Sequence, residues 1–171
     1  AAGYSIARNW EADLSSLDIA ADNAATGADM LATLEDNYSL IASHVQRVRD
    51  LTEQAANGTY GKDSLVAIQS EITARMEEIN RIAANCEFNG QNMMDNTLGS
   101  IAIQVGIDGD ANSRITLDST LFASSNATGL FSSMANDTAP DGKKLSELMT
   151  AAGKSGALGD LTDPDKIRAF A

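Results

Sequence analysis

The chain of 171 residues reads as mainly α: a long antiparallel α-helical rod or bundle with a small β-hairpin appendage. Three observations predict it. An apolar stripe at heptad-like 3/4 spacing runs through Ile6, Trp10, Leu14, Leu17, Ala21, Ala24, Ala28, Leu31, Tyr38, Ile41, Val45, Val48, Thr52 and Ala55, and no proline interrupts it. After a short break a second stripe follows through Leu65, Ile68, Ile72, Met76, Ile79, Ala83 and Cys86. Beyond it the apolar period drops to two, with Ile101, Ile103 and Val105, then Ile115 and Leu117.

The first stripe predicts a helix over 3–56. Helices of ordinary domains run about 8–20 residues, so a sustained pattern longer than about 25 points to a coiled coil or bundle. At about 1.5 Å per residue the rod is roughly 80 Å long. Asn57-Gly58 stops it, Thr59 to Asp63 form a short loop, and Asp63 or Ser64 can cap a second helix over 64–88. A loop this short makes the two helices antiparallel neighbours. Gly90 is placed to take the left-handed conformation that ends a helix. Residues 1–90 thus form a helical rod, and 91–171 hold a β-hairpin, a short variable region and the start of a return helix. The hairpin turns through Asp108 to Asn112. From Ser119 to Asp163 the chain is rich in small and polar residues, with one short helix expected around Lys143 to Ala152. Asp163-Pro164 has the form of an N-cap followed by proline at the first helical position, so a helix is expected to begin there.

Composition narrows the function. A net charge of -12 and a pI near 4.3 argue against a nucleic-acid partner, and no polybasic run offers a handle for anionic lipid. No stretch approaches about 18 consecutive apolar residues, so no membrane span is expected. Partners should be protein. The single cysteine, Cys86, permits no intrachain disulfide. The opening Ala1 to Ile6 has neither a basic region nor an apolar run of the signal-peptide kind, and it begins inside a helical pattern, as a fragment or processed piece would.

Catalytic arrangements fail on spacing. In an antiparallel hairpin His44, the only histidine, lies opposite about position 76, which leaves it about 15 Å from Cys86 and too far for a nucleophile and base. Asp108, Asp110 and Asn112 share the alternate spacing that opens a calcium loop, but the sixth and twelfth positions are Ser113 and Ser119 instead of glycine and glutamate. Glu77 and Glu78 fall on the solvated side of the second helix, and the sequons at Asn57, Asn126 and Asn136 match only a short, unspecific pattern. No enzyme activity, cofactor or metal is expected. What the chain does demand is cover. The part of the first helix before about residue 31 carries apolar groups that the shorter second helix cannot reach, and each buried methylene stabilises by about 0.8 kcal/mol. Self-assembly is the leading expectation.

Residues 1–118 resemble bacterial flagellin in the N-terminal part of its rod-shaped core. The run Gln46 to Leu51, followed by Gln54-Ala55-Ala56-Asn57-Gly58-Thr59, is similar to the family's signature at the end of its long helix. Ile68-Gln69-Ser70-Glu71-Ile72, Glu78-Ile79-Asn80-Arg81-Ile82 and Phe88-Asn89-Gly90 resemble the second helix and its stop. Ala1 to Ala7, Asn23-Ala24 and Ile103-Gln104-Val105-Gly106 are also similar. Cys86 departs from the pattern, standing where flagellins usually have a small polar residue. The resemblance implies an extracellular structural subunit of the flagellar filament that packs against other flagellin subunits in motility. It also implies that the terminal segments of the filament's inner tube are absent, so that this chain should not polymerise by itself. A hook-filament junction protein is the alternative. The family is also recognised by Toll-like receptor 5, and the positions that match the recognised patch are Arg47, Leu51 and Glu71, with Gln46 and Arg75 nearby as further contact candidates. Without a receptor, Arg47 and Glu71 would be solvated helix charges in weak pairs, and the same face serves protofilament contacts in the family.

Overall fold

The computed structural model describes residues 2–57 and 59–130. The expected short helix around 143–152 and the return helix from Asp163 lie outside the described residues. The described body is mainly α. Helix α1 spans Ala2–Ala56 and α2 spans Lys62–Asn85. A small hairpin follows, β1 (Glu87–Phe88) with β2 (Gln91–Asn92), and then a longer one, β3 (Ile101–Gln104) with β4 (Arg114–Leu117). A 3-10 turn at Ser119–Phe122 and a single helical turn, α3 (Ala127–Leu130), close the described part.

Helix α2 starts earlier than 64, with Gly61 as its extended N-cap and the Leu65 amide donating to the Gly61 carbonyl at 3.1 Å. Asp63 is therefore inside the first turn, where a carboxylate complements the exposed amides. The helix also ends at Asn85 instead of 88, and the reason is the next turn. Asn89 and Gly90 take φ of 49° and 75°, the positive pair that a type I′ hairpin needs, and β1 and β2 occupy the residues on either side. Gly90 is left-handed as expected, but as a hairpin corner. Asn92 then caps the C-terminal end of α2, its Nδ2 donating to the carbonyls of Ala83 at 3.0 Å and Ala84 at 2.8 Å while its Oδ1 accepts from the Met94 amide.

The β3–β4 register pairs Ile101 with Leu117 and Ile103 with Ile115. Asp110 organises the tip, accepting from the Ser113 amide at 3.0 Å and from Asn112 Nδ2 at 3.3 Å. The hairpin lies on α1, where Asn23 Nδ2 donates to the Gln104 carbonyl at 3.1 Å. Gly27 makes the approach possible, because a Cβ there would collide with the terminal methyl of Ile103.

One core runs along the α1–α2 interface, from Met30, Leu34, Ile41, Val48, Leu51 and Ala55 on α1 to Leu65, Ile68, Ile72, Met76, Ile79, Ile82 and Ala83 on α2. Its upper end, away from the α1–α2 loop, is sealed by Met93, Met94, Leu117, Phe122 and Ala127. Tyr38 fixes that seal, its hydroxyl donating to the Leu121 carbonyl and accepting from Ser125 Oγ, each at 3.2 Å. Asn80 Oδ1 accepts from the Ala127 amide at 2.8 Å.

The single stripe read from the sequence is two seams in the structure. With Leu14 taken as heptad position a, the residues Trp10, Leu14, Leu17, Ala21, Ala24, Ala28 and Leu31 are d and a positions, whereas Ile41, Val48 and Ala55 are g positions. The g line is the covered one. It continues upward through Leu34, Gly27 and Ala20, all buried. The stripe therefore changes seam near Tyr38, and its upper half points away from α2 and the hairpin: Trp10 is 67% exposed, Leu14 62% and Leu17 49%.

Candidate functional site

Two surfaces collect the residues that a partner could use. The first spans α1 and α2 about one third of the way up the shared interface. Position 47 on α1 faces position 71 on α2 because the helices run antiparallel from the loop after Asn57. Arg47 grips Glu71 with two parallel bonds, Nε to Oε1 at 2.8 Å and a terminal nitrogen to Oε2 at 3.2 Å. Arg75 approaches the same carboxylate at 3.5 Å from one turn along α2. The hydrogen bonds from Arg47 hold the Glu71 carboxyl below the usual carboxylate range, and those bonds in turn raise the Arg47 guanidinium. Both side chains remain substantially exposed, at 46% and 35%, so the pair is a rigid surface feature more than a large source of stability. Gln46 is also exposed, and its amide donates to Asp50 Oδ1 at 3.0 Å within the helix.

Three of the five expected contact residues, Arg47, Glu71 and Arg75, thus meet at one surface, and Gln46 is exposed beside Arg47 on α1. Leu51 is not among them. It is 1% exposed and belongs to the α1–α2 core, so its side chain offers nothing to a receptor or a neighbouring subunit. Arg47 and Leu51 are one turn apart, but α2 covers the edge of the face they share. The expectation of Leu51 as a contact is corrected by that burial.

The second surface is the exposed seam on the upper half of α1. Its counterpart in the fold is the crevice on the other flank of α1, about 350 Å³, lined by Asn23, Gly27 and Met30, the β1–β2 turn and strand β3. Among its polar groups the Gln104 carbonyl receives the Asn23 amide and so ties strand β3 to α1.

Among the described residues the remaining chemistry-bearing groups stand apart from one another. Cys86 is buried at the C-cap of α2, and burial pushes its thiol up, away from the reactive thiolate. Glu78 is held by two bonds from Arg81, at 2.8 and 2.5 Å, which keep its carboxyl below the usual carboxylate range. Among the described residues no group of three or more His, Cys, Asp or Glu side chains could hold a metal ion. Among them, too, no helix is long and apolar enough to cross a membrane.

Sequence reasoning missed the β1–β2 hairpin and the seating of β3 on α1. Signals for both exist: Asn89-Gly90 is the strongest two-residue hairpin pattern, and a glycine in mid-helix, Gly27, marks a close approach of backbone and neighbour.

Comparison with known proteins agrees with the geometry. Residues 1–98 match the family described as the bacterial flagellin N-terminal helical region. A flagellin of Escherichia coli K12 is 41% identical over 118 residues, covering 69% of this chain and 23% of its own. Flagellin 1 of Proteus mirabilis is 32% identical over 171 residues, 100% of this chain and 44% of its own. Among solved structures, FliC from Burkholderia pseudomallei superposes with a TM-score of 0.55 at 30% identity, covering 60% of this chain and 38% of that one. The chain spans less than half the length of each of these relatives.

Proposed function

Since the chain belongs to the bacterial flagellin family, we propose that it is the helical-core part of a structural subunit of the flagellar filament, acting outside the cell in motility by packing against other subunits. The observation that carries this reading is the open seam of α1. A helix whose upper half leaves Trp10, Leu14 and Leu17 half or more exposed gains little stability alone and is built to be covered. The flat, half-exposed charge pair of Arg47 and Glu71 suits a second lateral contact. The function is structural, with no catalytic role assigned to any residue.

The test is a chimera in which residues 1–118 replace the matching stretch of the Escherichia coli flagellin, expressed in a strain that lacks its own. Filaments and swimming are expected. A chimera that is exported and helical but forms no filament would remove the reading, and one that only decorates hook ends would favour the hook-filament junction alternative.

A second reading, recognition by Toll-like receptor 5, is favoured by the exposure of Arg47, Glu71 and Arg75 on one surface across α1 and α2. Arg47→Ala is expected to reduce receptor signalling with no change in helicity. Equal signalling by both forms, or none by either, would count against it.

A further inference from the structure

The crevice on the flank of α1 away from the open seam has a lining of one chemical kind. Gly27, Met30 and Ile103 form an apolar wall with the half-buried Phe88. Around it stand neutral groups that both donate and accept: the Asn89 and Gln91 amides from the β1–β2 corner and the Thr26 hydroxyl from α1. All three residues are exposed, and none of these side chains is bonded to another described residue. Asn23 commits its Nδ2 to the Gln104 carbonyl and leaves its Oδ1 as an acceptor. Strand β3 adds backbone. The Val105 amide donates to the Ser113 carbonyl at 2.8 Å, so in this antiparallel ladder 101, 103 and 105 are the bonded positions, and Ala102 and Gln104 turn their N–H and C=O groups outward. Ala102 lines the crevice, so a donor and an acceptor of the strand edge border it. No charged side chain lines it, although the chain as a whole carries a net charge of -12.

We propose that this crevice is a binding site for a neutral carbohydrate, one or two pyranose rings in size. Its volume of about 350 Å³ lies at the small end of the range for ligand pockets, roughly 300–1,000 Å³. The lining selects among the ligands that fit this space. An ion finds no counter-charge there, and leaving water without one is costly. A sugar brings several hydroxyls, each donor and acceptor, which match amides of the same double character, and its C–H faces suit Phe88 and Met30. An extended peptide added to the edge of β3 needs a run of outward backbone groups. Asn23 already occupies the Gln104 carbonyl, which leaves Ala102 and stops such a strand after one residue. Asn23 and Gln104 also line a neighbouring hollow of about 340 Å³ towards the hairpin tip, so their bond stands between the two. That second hollow has Asp108 in its lining, and the neutral one does not. The proposal goes beyond the reading of the chain as a filament subunit and rests on the crevice alone.

Proton–nitrogen NMR of the isotope-labelled whole chain, titrated with cellobiose or with lactose, reads the crevice through the side-chain amides of Asn23, Asn89 and Gln91 and the backbone amide of Ala102. Saturable shifts of those groups are expected with at least one of the sugars. None is expected with digalacturonic acid, a disaccharide that carries carboxylates. Thr26→Tyr sets a ring over the opening from an exposed helix position and is expected to abolish the shifts. Asn89→Gly keeps the positive φ of the corner while removing its amide, and combined with Gln91→Ala it should weaken binding about tenfold, since two neutral hydrogen bonds are lost. Circular dichroism checks that both variants keep their helicity. The absence of saturable shifts with either sugar would overturn the proposal, as would an equal response to digalacturonic acid or undiminished binding by both variants. So would a valine-threonine tetrapeptide that saturates the same resonances while the sugars do not.

Discussion

Truncating Leu51 to alanine separates a core residue from a contact residue by magnitude. At 1% exposure, Leu51 sits inside the cluster formed by α1 and α2. The change removes side-chain carbon worth about 0.8 kcal/mol per methylene, and a residual cavity adds to the loss, so buried leucine-to-alanine changes cost about 2–5 kcal/mol. The gain in helix propensity is a few tenths of a kcal/mol at most and does not offset it. A loss of about 3 kcal/mol is expected for Leu51→Ala, equivalent to a fall in Tm on the order of 10 °C for a body of this size. Leu40→Ala on the same helix, at 53% exposure, is the control and should stay within about 0.5 kcal/mol. Urea unfolding followed by circular dichroism reads both. If Leu51→Ala were as mild as Leu40→Ala, the seating of α2 on this part of α1 would be wrong and Leu51 would return as a surface contact. If the large loss is seen, any weakening of receptor signalling or assembly by Leu51→Ala is an effect of folding.

Three further outcomes follow from the same structure. Gly27→Ala should be non-additive with Ile103→Val, which deletes the methyl that a Cβ at 27 would strike; a coupling of about 1 kcal/mol in a double-mutant cycle is expected, and strict additivity would detach the hairpin from α1. Asn92→Ala frees the carbonyls of Ala83 and Ala84 and the Met94 amide, and should cost about 1–3 kcal/mol in unfolding experiments, whereas an exposed asparagine such as Asn9 should cost almost nothing. Glu71 is held below its unfolded carboxyl range by Arg47, so its contribution is present at neutral pH and is lost as pH falls through the folded value. The Tm difference between wild type and Glu71→Gln should therefore vanish in acid, and a difference that grew on acidification would refute the pairing.

Much of the fold was legible because helical periodicity is local. The 3/4 spacing predicted helix 3–56, and α1 spans Ala2–Ala56. The period-two stretch predicted a hairpin where β3 and β4 stand. The misreadings share one cause. Whether Gly90 ends a helix or turns a hairpin depends on the strands that pair around it, and a left-handed glycine serves both. Spacing places Arg47 and Leu51 one turn apart, but the border between surface and core runs between them and is drawn by α2. The stripe fixed where apolar residues recur, not which of two adjacent seams would be covered.

By itself, then, the sequence determined that α1 is a long rod and that a shorter antiparallel helix cannot cover it, since these depend on spacing and residue type alone. Only the tertiary structure decided that α2 and the hairpin take the g seam of α1, through contacts such as Gly27 with Ile103 and Arg47 with Glu71. Those contacts join residues far apart in the chain, and their choice leaves the a and d seam open to a partner.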